Sequence, residues 1–274
     1  MTDYINFILI PRIWVGIAFC ALGIILLKTF KVSRSIRLIS LFIIFLMFAI
    51  VPILPLGWFA TGVSMHPSPM CAATKPVLFY VHRGFIPSIF LLILAYIGIV
   101  SLIGNKLFCG WTCPLGALQE IAHFFKLPKG WKKVIPFTIS NTIRVGIFVV
   151  FLILIFLGGM SIYSYLNPFE FFHWHFALYT SVVMLFTLAV SVFIFRPFCY
   201  LICPIGLLTW LIESFSIIKL KVNKDVCNGC KLCIKKSNCP AVGAIVNGKK
   251  IRPDCHLCGR CIDKCPEKAF EFTR

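Results

Sequence analysis

Acidic side chains are scarce in this 274-residue chain, which has nine Asp and Glu against 27 Lys and Arg. Charged residues make up 13% of the chain, about half the share found in ordinary soluble domains, whereas 59% of the residues are hydrophobic. This shortage of charge excludes a single water-soluble globule and indicates that most of the chain lies in membrane lipid. Taken alone, the net charge of +18 would suggest nucleic acid or an anionic surface as a partner.

Histidine is also rare, with six in the chain. A bis-histidine haem needs ligands that face each other inside membrane spans, whereas these residues fall in predicted outer loops, after a repeated motif or in the C-terminal segment. They are His66, His82, His123, His173, His175 and His256. The sequence therefore argues against an intrinsic membrane haem. The N-terminus lacks the basic residues of a cleavable signal, so we expect no signal peptide there.

Five apolar runs are long enough to cross about 30 Å of hydrocarbon as helices. They cover residues 4–27, 36–60, 84–104, 139–163 and 176–195. Lys and Arg concentrate between the first two runs, between the third and fourth, and after the fifth, so these segments are predicted to be cytoplasmic. We predict an α-helical protein of the bacterial inner membrane, with its N-terminus outside. The positive charge is then mainly a topology signal, and no nucleic-acid partner is expected.

Eight cysteines in the polar segment 219–274 form two runs of the type C-x2-C-x2-C followed by Cys-Pro. This spacing matches the bacterial two-cluster ferredoxin pattern, in which the fourth cysteine of each run ligates the other cluster. We therefore predict two [4Fe–4S] clusters. The first is assigned to Cys227, Cys230, Cys233 and Cys265, and the second to Cys255, Cys258, Cys261 and Cys239.

Zinc and disulfides are the alternatives for these cysteines. Zinc ribbons use paired C-x2-C knuckles, and disulfides are rare in the reducing cytosol, so the iron–sulfur interpretation is preferred. We expect a small α+β ferredoxin-like domain with short strands at 244–247 and 270–273. The nearby basic residues either balance the negative charge of the clusters or are simply solvated: Lys231, Lys235, Lys236, Arg260 and Lys264.

The transmembrane part, residues 1–218, contains an internal repeat with an offset of 90 residues. The two copies read KLFCGWTCPLGALQEIAHFF and RPFCYLICPIGLLTWLIESF, so each contains a C-x3-C-P element. Proline disfavours helix at the residue before it, which places each cysteine pair at a helix end, near the inner membrane edge. The first pair is Cys109 and Cys113, and the second is Cys199 and Cys203.

The two pairs are predicted to converge into one four-thiolate site around a pseudo-twofold axis. Such a site could hold an iron–sulfur centre, copper or zinc, or the pairs could act as redox dithiols. The alternative is that these cysteines are buried small apolar residues. The sequence does not say what occupies the site.

Two FC-x3-CP elements after membrane spans, followed by paired ferredoxin motifs, resemble the NapH/MauN family of membrane polyferredoxins. The same core is similar to the membrane halves of NosR-type regulators and CcoG-type copper reductases. The resemblance covers roughly residue 84 to the C-terminus. It implies a quinol dehydrogenase or electron-transfer subunit that serves a periplasmic reductase, with a multihaem cytochrome c or other subunits of a redox complex as partners.

Two other groups of residues each have both a functional and an ordinary structural interpretation. Met65, His66, Met70 and Cys71 form a group of soft ligands that could bind copper, although an ordinary loop is the preferred interpretation. Glu120 and Glu213 follow the C-x3-C-P elements, where a carboxylate could pass protons or simply be solvated. Cys20 and Cys71 receive no predicted role.

The leading hypothesis is a membrane-bound iron–sulfur subunit that exchanges electrons between the quinone pool and a partner redox protein. A second hypothesis is a protein that binds and reduces copper through the C-x3-C-P thiolates. A third is an anchor or assembly subunit of a larger redox complex.

Overall fold

The structure is a computed structural model that describes residues 9–64, 66–128, 130–174, 176–248 and 254–273. Its first half begins with α1 (Pro11–Lys28) and α2 (Arg34–Phe45). Helix α2 continues through a π-helical turn, Leu46–Ile50, and a 3-10 turn, Val51–Ile53. The predicted span at 36–60 therefore ends early. Pro52 and Pro55 account for this, because proline cannot donate a backbone hydrogen bond to a continuing helix.

A short helix α3 (Trp58–Val63) and a longer helix α4 (Pro69–Arg83) follow. The sequence did not predict α4. The Ser68 side chain caps it by accepting from the Cys71 backbone N–H, and Gly84 ends it with a φ of +69°. Met70 and Cys71 are buried in its first turn, so the interpretation of this segment as an ordinary loop is wrong for these two residues. Met65 lies outside the described residues.

The remaining helices of the transmembrane part contain both C-x3-C-P elements. They are α5 (Ser88–Ile103), α6 (Leu107–Trp111), α7 (Pro114–His123), α8 (Phe137–Gly158), α9 (Ile162–Tyr165), a 3-10 turn at Pro168–His173, α10 (Leu178–Phe193), α11 (Pro197–Leu201) and α12 (Pro204–Glu213). The pairs α6–α7 and α11–α12 are the structural copies of the repeat.

Three helical segments are long and apolar enough to cross a membrane, namely Pro11–Lys28, Arg34–Ile53 and Phe137–Gly158. The other two predicted spans correspond to α5 and α10, which are apolar helices of 16 residues each. The structure thus shows a mostly helical chain with three candidate membrane spans, and the five-span topology stays a prediction.

The C-terminal segment contains β1 (Lys219–Val222), α13 (Leu232–Ser237), α14 (Val242–Val246), α15 (Arg260–Asp263) and β2 (Phe270–Thr273). The two strands pair antiparallel, with Lys219 opposite Thr273 and Val222 opposite Phe270. The strand expected at 270–273 is therefore present. The strand expected at 244–247 is wrong, because Val242–Val246 is helical and buries Val242 and Ile245.

One continuous apolar core joins the helices to the C-terminal segment. It contains Leu27 of α1, Trp111 of α6, Phe198 of α11, Leu220 of β1 and Ile262 of α15. The second C-terminal cysteine loop, with Cys255, Leu257 and Cys261 in this core, is thus packed directly against the C-x3-C-P elements.

Candidate functional site

The four cysteines predicted to hold the first cluster lie around one cavity of about 70 Å³. They are Cys227, Cys230, Cys233 and Cys265. Cys230 is exposed and the other three are half-buried, so this site lies near the molecular surface. The fold therefore places Cys265, the fourth cysteine of the second run, beside the first three cysteines of the first run.

The four cysteines predicted to hold the second cluster line a separate, smaller cavity. They are Cys239, Cys255, Cys258 and Cys261. The last three are buried, and Leu27 and Phe195 complete the wall. Burial raises the pKa of the Cys239 thiol well above its ordinary value. Bound iron would therefore be needed to hold this sulfur as a thiolate.

Both cysteine loops have the same backbone geometry. Left-handed residues stand on either side of the middle cysteine, at Gly229 and Lys231 in one loop and at Leu257 and Gly259 in the other. Turns of this kind direct successive backbone N–H groups into a concavity that suits an anion, as in many iron–sulfur sites. The loops are thus shaped for a negatively charged cluster.

Within the part of the chain that the structure describes, no group of three or more His, Cys, Asp or Glu side chains is arranged around a single metal ion. A four-iron cube holds its thiolates farther apart than one ion does.

The C-x3-C-P elements are structural copies of each other. Cys109 and Cys199 lie in the short helices α6 and α11, while Cys113 and Cys203 are the N-cap residues of α7 and α12. Cys113 has φ −72° and ψ 116°, and Cys203 has φ −64° and ψ 119°. These extended conformations are what the following prolines predict, so the expected helix ends are confirmed.

The repeated glycine after each proline permits a close backbone approach. A Cβ atom at Gly116 would lie 2.9 Å from the Cys109 carbonyl oxygen, and one at Gly206 would lie 2.6 Å from that of Cys199. Helix α7 thus lies directly against α6, and α12 against α11. Only glycine at this position permits so close a contact without displacement.

The four thiols are buried and gathered together. Cys113 lies near enough to Cys199, Cys109 and Cys203 for a charge on one sulfur to affect the others. Gln119 of the first copy joins the two elements, because its Nε2 donates to Cys199 Sγ at 3.4 Å and its Oε1 accepts from the Phe198 backbone N–H at 3.0 Å. The geometry therefore brings all four predicted cysteines to one place.

Two buried charge groups surround these elements. In the first, which we call the Glu120 triad, Glu120 pairs with Arg37 at 2.9 Å and with Arg196 at 2.5 Å. In the second, the Asp254 triad, Asp254 pairs with Lys106 and with Arg144, the latter at 3.1 Å. Each triad has two cations and one carboxylate, so each leaves one positive charge beyond its own carboxylate.

The triads also hold the backbone of the cysteine helices. Arg196 Nη1 donates to the Cys109 carbonyl at 2.5 Å, Arg37 Nη2 donates to that of Gly110 at 2.7 Å, and Arg144 Nη1 donates to that of Cys199 at 3.4 Å. Lys106 Nζ donates to the carbonyl of Gly206 at 2.6 Å. Positive charge is therefore concentrated beside the thiol site, where it would stabilise an anionic centre.

Glu120 and Glu213 are not solvated, so that interpretation is wrong for both. Each is almost fully buried. Burial by itself would raise the pKa of Glu120, but Arg37 and Arg196 outweigh it and hold the pKa well below its usual range. Glu120 is therefore a fixed negative charge rather than a proton carrier. Glu213 accepts from the Cys255 backbone N–H at 3.1 Å.

The sequence reasoning missed the charge triads because it assigned their basic residues only to membrane topology. One feature of the sequence could have indicated these charge groups. Lys106 and Arg196 occupy the same position in the two copies, three residues before the first cysteine, and each reaches across to the opposite copy. Asp254 had no local signal, since it lies in the cysteine-rich segment and pairs only through the tertiary fold.

The loop of the second cluster contacts both C-x3-C-P elements. Trp111 Nε1 donates to the Leu257 carbonyl at 2.9 Å, and a Cβ atom at Gly110 would collide with the His256 carbonyl. On the other side, Glu213 at the end of α12 holds Cys255. The second cluster set is thus adjacent to the four-thiol site.

The first C-x3-C-P element packs against α1. Thr112 Oγ1 donates to the Gly16 carbonyl at 3.3 Å and contacts Cys20 Sγ at 3.2 Å, so it packs against the middle of α1. Leu27, near the end of α1, packs beside Gly259 of the second cluster loop. Gly16 is eleven residues from Leu27, which corresponds to about 16 Å along a helix.

Two segments of the chain match a known protein family. The family described as 4Fe-4S binding domain matches residues 85–132 and 176–224. These two segments contain the C-x3-C-P cysteines, whereas the cysteines from 227 onward lie beyond both matches. No solved structure matches the chain significantly.

Several similar proteins are named ferredoxin-type proteins. The chain is 31% identical over 190 residues to the ferredoxin-type protein NapH of Haemophilus influenzae, covering 63% of this chain and 64% of that protein. It is 29% identical to NapH of Escherichia coli, covering 63% of each chain. It is also 27% identical to the methylamine utilization ferredoxin-type protein MauN of Paracoccus denitrificans, covering 54% of this chain and 53% of that one. The alignments thus span slightly less than two thirds of the NapH proteins. They confirm the resemblance to NapH/MauN-type ferredoxin-type proteins that the motifs predict.

Proposed function

We propose that this protein is a membrane-bound iron–sulfur subunit that exchanges electrons between the quinone pool and a partner redox protein or periplasmic reductase complex. The observation that carries the proposal is the arrangement of the eight C-terminal cysteines. They line two cavities in the two groups of four that a two-cluster ferredoxin requires. In this proposal residues 219–274 form a cytoplasmic ferredoxin-like domain, and residues 1–218 form the transmembrane domain.

The residues of each cavity suit a [4Fe–4S] cluster. Cys227, Cys230, Cys233 and Cys265 would hold the first, and Cys239, Cys255, Cys258 and Cys261 would hold the second. Bound clusters supply one-electron transfer at potentials that their surroundings set. The protein's own contribution is to place the cysteines, to point backbone N–H groups at the cavities and to exclude water from the second cavity.

We further propose that Cys109, Cys113, Cys199 and Cys203 hold a third iron–sulfur centre. Their burial, their mutual proximity and the similarity of both segments to a 4Fe-4S binding domain support it. The positive charge of the two triads favours an anionic four-thiolate centre over a neutral dithiol. A copper-handling role of the same thiols is the alternative that the experiment below also tests.

The three cysteine sets differ in burial, and their order suggests a path for electrons along the molecule. The first cluster set is the most exposed, the second is buried beside both C-x3-C-P elements, and the four-thiol site lies against the middle of α1. These sets form a series that leads from the C-terminal domain into the transmembrane part.

Iron and acid-labile sulfide in the purified chain, with EPR spectra, test the proposal. Two clusters require about eight iron atoms per chain and a third raises this to about twelve. The Cys233→Ser and Cys258→Ser variants should each lose one C-terminal signal, while the Cys109→Ser/Cys199→Ser double variant should lose about four iron atoms and keep both C-terminal signals. Cys71→Ser is the matched control, because Cys71 belongs to none of the sets.

Two results would overturn parts of this proposal. Fewer than about eight iron atoms without cluster EPR signals would remove the iron–sulfur function. Unchanged iron in the Cys109→Ser/Cys199→Ser variant, combined with a loss of bound copper, would replace the third centre by the copper-handling role.

A further inference from the structure

A cavity of about 370 Å³ lies between the start of α2, the segment after α7 and the C-terminal domain. It is separate from the three cysteine sites, although Cys258 forms part of its wall. Seven Lys or Arg residues and a single carboxylate line it among the residues that the structure describes. We propose that this cavity binds a phosphate group, carried by an anionic lipid head group or by a soluble phosphate compound.

The charges in the cavity are poorly balanced by the protein itself. The one lining carboxylate, Asp263, pairs with Lys264 at 2.6 Å, and Arg37 is already shared with Glu120. No described carboxylate lies within ion-pair distance of the other five cations, which are Arg34, Lys126, Lys132, Lys236 and Arg260. A cluster held by Cys258 would offset part of this charge on the side of Arg260, but Arg34, Lys126 and Lys132 come from the other walls. Cations gathered in one cavity repel each other, and a bound anion would relieve the repulsion that is left.

The inner wall provides hydrogen-bond donors without partners. Arg37 Nη1 and Arg260 Nη1 are buried and have no partner among the described residues. The Arg260 guanidinium packs between two rings, 4.7 Å from the Phe195 centroid and 5.4 Å from that of Phe124, which fixes its plane. Guanidinium groups match phosphate oxygens in geometry as well as charge, so two of them in one wall favour phosphate over a simple halide.

His123 adds an acceptor to this wall. Its Nδ1 lies 3.1 Å from the Ser191 carbonyl and so donates to it, while its Nε2 is buried without a partner among the described residues. Burial first, and then nearby Arg260 and Lys132, lower the pKa of His123 to about 4, so the ring is neutral. A neutral Nε2 accepts a hydrogen bond, which suits the hydroxyl of a phosphate group or of a glycerol head group.

The position of the cavity favours a lipid as the source of the phosphate. Arg34 lies on its rim and is also the first residue of a candidate membrane span. Phe125 lines the cavity with 71% of its surface exposed, and Trp131 nearby is 57% exposed. Cations beside exposed aromatic residues at the end of a span are typical of the head-group region, where basic pockets bind anionic lipids.

Lipid binding to the full chain tests the proposal. The chain is placed in nanodiscs of phosphatidylcholine with a minor fraction of phosphatidylglycerol, and retained lipid is counted by native mass spectrometry. We expect selective retention of phosphatidylglycerol and a loss of roughly tenfold in its affinity in the Arg34→Gln/Lys126→Gln variant. A second variant, Lys126→Gln/Lys236→Gln, guards against misfolding, because both side chains are exposed.

The matched control is Lys28→Gln/Lys31→Gln, which removes the same charge from exposed residues outside the cavity. A parallel arm adds inorganic phosphate or pyrophosphate to lipid-free chain and follows binding by ³¹P NMR. Binding in this arm, lost in the cavity variants only, would identify a soluble phosphate compound as the source. Equal losses in cavity and control variants, or no selective binding in either arm, would overturn the proposal. None of these readouts depends on electron transfer by the clusters.

Discussion

At the scale of single residues, Glu120 determines how charge is arranged beside the thiols. It is fully buried, accepts from Arg37 at two oxygens and pairs with Arg196, which in turn holds the Cys109 carbonyl. A buried ion pair is weak as a source of net stability, but removal of one partner leaves a buried charge without compensation. Here the loss of the Glu120 carboxylate would leave two buried arginines, Arg37 and Arg196, without their counter-charge.

The Glu120→Gln variant should therefore unfold more easily by roughly 3–5 kcal/mol and lose iron from the four-thiol site. Thermal unfolding in detergent and iron analysis measure both effects. The same substitution at exposed Glu271 is the control and should change neither. A Glu120→Gln variant as stable as the Glu271→Gln variant would show that the triad does not support the site.

At the scale of elements, the local sequence predicted the helix ends within the C-x3-C-P elements. It did not predict which other helix packs against them. Proline after Cys113 and Cys203 fixed the helix starts, and these predictions hold. The position of the first element depends on α1, where a Cβ atom at Gly23 would collide with the Trp111 ring and the Gly16 carbonyl accepts from Thr112. No pattern around the cysteines reports such a contact with a helix about 90 residues earlier.

The close approach within each element can be tested by adding one methyl group. Gly116→Ala and Gly206→Ala each force a Cβ atom against the carbonyl of the cysteine helix, so each should destabilise the chain by about 1–3 kcal/mol and reduce iron bound at the four-thiol site. Gly146→Ala, in α8, is the control, because open space surrounds that position. Thermal unfolding of the three variants gives the comparison, and equal melting temperatures would contradict the packing described.

The helical state of Val242–Val246, where the sequence predicted a strand at 244–247, can be tested by substitution. Gly243 lies inside α14 and a Cβ atom there meets nothing within 4 Å. Because alanine favours helix and valine favours strand, Gly243→Ala should be more stable than Gly243→Val, by about 0.5 kcal/mol. Chemical unfolding measures the order of the two variants, and the opposite order would favour a strand.

At the scale of the whole molecule, the sequence was most informative where chemistry fixes spacing. Cysteine spacing predicted both groups of four around the two C-terminal cavities, although they come from runs that are separated along the chain. It could not predict that Asp254 pairs with Lys106 and Arg144, since that contact requires the C-terminal segment to pack on the transmembrane helices. Long-range pairing of charges depends on the complete fold rather than on any local pattern.

The orientation that the basic residues predict can be measured on the assembled protein. Lys224 is exposed in the C-terminal segment, and Tyr165 is 62% exposed beyond the other end of α8. A membrane-impermeant maleimide should label Lys224→Cys only in inverted vesicles and Tyr165→Cys only in right-side-out vesicles. Labelling of both from the same side would contradict the proposed topology.

The Asp254 triad also has a consequence for biosynthesis. Lys106 and Arg144 are made well before Asp254, which follows them by 148 and 110 residues along the chain. Until the segment that contains Asp254 leaves the ribosome and docks, two cations beside the second C-x3-C-P element lack the carboxylate that they share in the finished protein. The electrostatic environment of the four-thiol site is thus completed only when the segment that contains Asp254 is in place.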